Sequence, residues 1–112
     1  MSNAQSDGFL AITDYTHKGK AKFELGQVVM TPGAIEALDA DNGRLAVPIY
    51  LARYQSGDWG VTGKEDCHTN DMAIVHGDRI LAAYVLPYTK VKFWIITEWD
   101  RSATTFLLPE EY

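Results

Sequence analysis

A single cysteine, Cys67, leaves the chain unable to form an intrachain disulfide, which fits a reducing compartment and a cytoplasmic location. Long apolar runs are also missing. None approaches the ~18 residues that a membrane-spanning helix needs, so no membrane partner is expected. The N-terminus lacks the charged-then-apolar pattern of a secretory signal. Basic residues are scarce: ten Lys and Arg stand against fifteen Asp and Glu, giving a net charge of −5. A negative domain gains nothing from releasing phosphate counterions, so direct nucleic-acid binding is disfavoured. The one basic cluster, Lys18, Lys20 and Lys22 with His17, is broken by Gly19 and Ala21 and reads as a solvated loop.

What is present suits one globular domain. The chain has 112 residues, 46% hydrophobic and 22% charged, with three Trp, six Tyr and four Phe for a core. Ser2-Asn3-Ala4 looks like a scar of tag removal. Residues 1–7 are therefore read as tag-like or disordered, and residues 8–112 as a single α+β domain.

The element signals are uneven. Phe9-Leu10-Ala11-Ile12 is a short apolar run that suits an edge strand, and Phe23 to Met30 reads as a strand. Thr31-Pro32 is a helix start, because Thr accepts from a free first-turn amide and Pro at the first position loses no bond. That helix ends at Asn42-Gly43. Residues 45–55 fit either a helix opened by Pro48 or an extended run, and a short helix over 48–55 is preferred. Ser56-Gly57-Asp58-Trp59-Gly60 is a turn. Thr62-Gly63-Lys64-Glu65 matches a capping box, with a helix over about 63–76 stopped by Gly77.

The C-terminal third is the most regular. Three strands, at about 79–86, 91–98 and 103–108, are separated by Pro87-Tyr88-Thr89-Lys90 and Trp99-Asp100-Arg101-Ser102. Turns that short force antiparallel neighbours, hence a three-stranded meander. In the middle strand Val91, Phe93, Ile95 and Thr97 share one face. Lys92, Trp94, Ile96 and Glu98 share the other. The first face should lie under helices. Trp94 and Ile96 should be half-covered, by the N-terminal segment or by a second subunit.

Three blocks carry a resemblance: Gly26 to Ala34, Ser56 to Gly60, and Trp94 to Tyr112. Together they resemble a family of small bacterial proteins carried on plasmids and other mobile elements. Some members bear a label as the methylation subunit of a type I restriction system. The resemblance spans roughly residues 23 to 112 and implies a genomic setting and no activity. The chain itself has no Asn/Asp-Pro-Pro-aromatic motif and no dinucleotide fingerprint.

Few residues could carry chemistry. Asp66, Cys67, His68, Asp71 and His76 are the best metal candidates, but no paired-cysteine motif exists. His68 and His76 lie two helical turns apart, so a solvated helix face is preferred. Cys67 beside a helix N-terminus could have a lowered pKa, yet the adjacent His68 points about 100° away on a helix. No catalytic, cofactor-binding or metal residue is assigned. The candidate interaction patch is Trp94, Trp99, Asp100 and Arg101, since an exposed Trp beside an Arg is the pairing that dominates interface hot spots. The competing reading makes Asp100 a turn-former and Arg101 half of a surface ion pair. Trp59 is read as a core anchor rather than an exposed stacking surface. The function expected is that of a non-enzymatic accessory or interaction module, binding a protein or itself as a homodimer. The alternative is a nucleic-acid-linked role in plasmid maintenance or restriction, through a partner or weak direct binding.

Overall fold

Two tight turns organise the C-terminal half. Lys90 and Arg101 both take left-handed backbone angles, with φ of 65° and 60°. The N–H of Lys90 donates to Leu86 O at 3.0 Å and that of Arg101 to Glu98 O at 2.9 Å. Each turn folds the chain straight back on itself. The result is an antiparallel meander of β2 (Ile80–Val85), β3 (Lys92–Thr97) and β4 (Ala103–Leu107). A computed structural model describes residues 21–41 and 43–112 of the chain. The apolar run at Phe9–Ile12, together with Lys18 and Lys20, lies outside the described residues.

The fourth strand, β1 (Gln27–Met30), pairs parallel with β4. The sheet order is therefore β1-β4-β3-β2, and the sheet is mixed. β1 is shorter than the expected strand from Phe23. Gly26 breaks the run at φ 64°, and a Cβ there would lie 2.4 Å from Arg101 O and from Ser102 O. Only glycine allows the chain to pass that close to the β3–β4 turn. Phe23 instead turns into the core.

Helix α1 (Pro32–Asp41) starts where Thr31-Pro32 predicts, with Thr31 Oγ1 accepting from Ala34 N at 3.2 Å. A 3-10 turn (Arg44–Ala46) leads into α2 (Val47–Gln55), so the ambiguous segment is helical. α2 buries Val47, Pro48, Tyr50, Leu51, Ala52 and Tyr54, a broad apolar face that an extended run would have split between two sides. α3 (Lys64–His76) ends on Gly77 in the left-handed conformation, as expected.

The start of α3 corrects the sequence reading. Gly63 is the cap residue and no side chain caps the helix. Thr62 is drawn elsewhere. Its hydroxyl donates to Trp59 O and accepts from Ala83 N at 2.8 Å, while its own N–H donates to Trp59 O. The edge of β2 needed those groups more than the helix did. Asn70, buried within α3, reaches the same edge. Its amide donates to Leu81 O at 2.8 Å and accepts from Leu81 N at 3.2 Å.

The helices cover one face of the sheet, and the core forms there. Phe93, Ile95 and Phe106 are at most 1% exposed. Tyr84, Phe93 and Phe106 stack in a row with centroids 5.7 and 5.8 Å apart, and Tyr50 meets Phe93 edge-on at 5.0 Å. Such pairs add about 0.5–1.5 kcal/mol each beyond the area they bury. Trp59 is the predicted anchor. It is 5% exposed, packs against Phe23 and Tyr54, and donates from Nε1 to Asp71 Oδ1 at 2.9 Å.

Candidate functional site

The β3–β4 turn holds three of the four residues singled out as a patch. Trp99 stands 67% exposed at its tip. Asp100 is a turn-former, its carboxylate accepting from Ser102 N at 3.0 Å. The hydroxyl of Ser102 first, and then that backbone bond, hold its carboxyl below the usual range. Arg101 is the surprise. Its guanidinium donates to the backbone carbonyls of Asp78, Glu98, Trp99 and Ala73, at 2.7, 3.1, 3.3 and 3.1 Å. It also lies over the ring of Phe23, 5.8 Å from its centroid. Ala73 O belongs to the last turn of α3, where it also accepts from Gly77 N and Asp78 N and where a cation meets the negative end of the dipole.

This corrects the patch in two ways. Among the described residues Arg101 makes no ion pair, and its guanidinium is spent on backbone carbonyls: it is a bracket that pins the turn to α3. Trp94 is not part of the same surface. It is an interior residue of β3, roughly 15 Å away along the strand at ~3.3 Å per residue. There it is half-buried, with Tyr112 packed against it edge-on at 5.5 Å. The cover on this second face is therefore the chain's own C-terminal turn (Pro109–Glu111) and Tyr112. Ile96 is more enclosed than expected, at 5% exposure.

That turn is tied down from several directions. The Glu111 carboxylate accepts from Thr31 Oγ1, from Gly33 N at 3.0 Å and from Leu108 N at 2.8 Å. These bonds, the one from Thr31 foremost, hold its carboxyl below the ordinary value. Tyr112 accepts a bond from Arg79 Nη1 at 2.6 Å, and the same guanidinium lies 5.6 Å from its ring centroid. The residues from Thr31 to Gly33 and from Leu108 to Tyr112, remote in sequence, thus form one joint.

The candidate chemical cluster does not assemble. Among the described residues no group of three or more His, Cys, Asp or Glu is placed to hold a metal ion. His68 and His76 are exposed on α3. Cys67 donates from Sγ to Thr62 O at 3.3 Å. Its thiol is pushed up by burial, and further by Asp71 and Asp66. The shift is thus opposite to the lowering that a helix N-terminus suggests, and its causes are desolvation and the two nearby carboxylates. A cavity of about 210 Å³ beside α3 is lined by Asp66, Thr69, Asn70, Arg79 and Leu81. Asn70 is already committed to the strand edge, and Arg79 to Tyr112.

Sequence reasoning passed over a buried hydroxyl chain. Tyr54 Oη meets Thr97 Oγ1 at 2.8 Å, Thr97 meets Thr104 Oγ1 at 2.8 Å, and Thr104 donates to Leu25 O at 2.7 Å. Thr104 uses its one proton on Leu25 O, so Thr97 donates to Thr104 and accepts from Tyr54, whose proton is shared with Ile80 O at the longer distance of 3.3 Å. Burial drives the Tyr54 phenol far above its ordinary pKa. The chain satisfies polar groups inside the core and activates no nucleophile. The only sequence signal for it was two threonines on the apolar face of adjacent strands.

A comparison with family models, with curated proteins and with solved structures finds no match to this chain. No helix among the described residues is long and apolar enough to cross a membrane.

Proposed function

We propose that the protein is a non-enzymatic interaction module that presents Trp99 to a protein partner, in the plasmid or mobile-element setting that the sequence resemblance implies. One observation carries this reading. A bulky indole is held out in solvent at the tip of a turn that Arg101 locks through its bonds to four carbonyl oxygens. An aromatic side chain on a fixed backbone loses little conformational freedom on binding, so its contact area converts efficiently into affinity. Glu98 and Asp100 flank it in the chain with negative charge, while the Arg101 guanidinium is bonded to backbone carbonyls, and a partner surface that is basic is favoured.

Affinity capture from the native host tests the reading. The wild-type chain should retain a protein that Trp99→Ala loses and that Trp94→Ala keeps. Equal capture by all three chains, or none by any, would count against it.

A further inference from the structure

The two edges of the sheet are finished differently. Along β2 every outward backbone group of Leu81 and Ala83 is taken. Asn70 pairs with both groups of Leu81. Val61 N donates to Ala83 O at 2.8 Å, and Ala83 N donates to the Thr62 hydroxyl at 2.8 Å. A bridge between Gly60 and Ala83 continues this seal, and Gly60, at φ 66°, has no room for a Cβ, which would lie 2.3 Å from Ala83 O. No further strand can add there.

Along β1 nothing comparable is present among the described residues. Gln27 N donates to Ser102 O and Thr31 N to Phe106 O, each at 3.0 Å. The parallel alternation then turns Gln27, Val29 and Thr31 toward β4, and points the N–H and C=O of Val28 and Met30 outward. Gln27-Val28-Val29-Met30 carries no Lys, no Pro and no charge, the usual guards of an open edge. Val29 is 39% exposed on the second face.

We infer that this edge pairs antiparallel with β1 of a second copy, about a two-fold axis at Val29. The sequence is self-complementary in that register. Val28 stands opposite the partner's Met30, so each outward N–H faces an outward C=O. Val29 stands opposite its own copy, and no like charges meet. The product is one continuous sheet of two four-stranded halves. A strand of four residues buries far less than the ~800 Å² per partner of a standard stable complex, so the pair forms weakly and depends on concentration. This surface is separate from the Trp99 turn.

Amide exchange of the full-length chain, followed at Val28 and Met30 at low and high protein concentration, tests the pairing. The sedimentation mass is measured on the same samples. Exchange at both amides should slow roughly tenfold or more as concentration rises, while the mass moves toward that of a dimer. Val29→Lys, which sets like charges face to face at the axis, should abolish both effects and leave the circular dichroism unchanged. Should that variant fail to fold, Val28→Pro removes one outward N–H at an edge position where proline is tolerated. Rapid exchange at every concentration would overturn the inference. So would protection at a monomer mass, which would assign the edge to the chain's own N-terminal residues. Loss of the dimer in Trp99→Ala but not in Val29→Lys would place self-association on the other surface and overturn it equally.

Discussion

Phe93 and Trp94 are neighbours in the chain and lie on opposite faces of the same strand. Phe93 is sealed under helices, stacked between Tyr84 and Phe106. Trp94 is covered by Tyr112, held by a short terminal turn. The helix-covered face is a packed interior that holds the hydroxyl chain of Tyr54, Thr97 and Thr104. The other face is closed by a clasp made of a few bonds to Glu111 and Arg79. Stability should therefore be concentrated on the first face. The second face and the turn tips are where substitutions cost least and where contact with other molecules is open.

The largest effect should come from Phe106→Ala. It empties a fully buried site and should cost about 3–5 kcal/mol in urea unfolding. Thr97→Val keeps the shape but removes the middle of the hydroxyl chain, leaving Tyr54 with only its longer bond to Ile80 O and Thr104 with only its bond to Leu25 O. A loss of about 1–3 kcal/mol is expected. On the opposite face Trp94→Ala should cost less than Phe106→Ala, about 1–2 kcal/mol, because the side chain is already half in water. If Trp94→Ala proved as damaging as Phe106→Ala, the contrast between the faces would fail.

Glu111 sharpens the comparison through pH. Its carboxyl is held below the ordinary value in the folded state. Its contribution is therefore complete above the unfolded pKa and disappears as pH falls through the lowered folded one. Glu111→Gln should flatten that acid limb of the unfolding curve while leaving the response to Thr97→Val intact. The smallest effect should be that of Trp99→Ala, within about 0.5 kcal/mol of the parent, since the side chain is exposed.

Much of this architecture was legible in the sequence. The meander followed from turn chemistry at Pro87 to Lys90 and Trp99 to Ser102. The face assignment followed from the alternation through Val91 to Glu98, and the helix starts and stops from Thr31-Pro32 and Gly77. What was not legible depended on long-range partners. The parallel docking of β1 on β4 has no local signature. The capping box at Thr62 failed because Ala83, far along the chain, claimed its hydroxyl. Arg101 looked like an interface residue because sequence alone cannot place the carbonyls of Ala73 and Asp78 around it. The blocks Gly26 to Ala34, Ser56 to Gly60 and Trp94 to Tyr112 contain joints of the fold: Gly26 against Ser102, Gly60 against Ala83, and Thr31 with Gly33 against Glu111. The physical constraints found in these blocks concern folding, and of their aromatic residues Trp99 alone among the tryptophans is left exposed.

Site-specific photo-cross-linking in the native host addresses that residue most directly. A photoreactive amino acid replaces Trp99 in one chain and the exposed Glu36 of α1 in another. The account predicts a discrete adduct with one protein from the first position and none from the second. Identical patterns from both positions, or no adduct from the first, would contradict it.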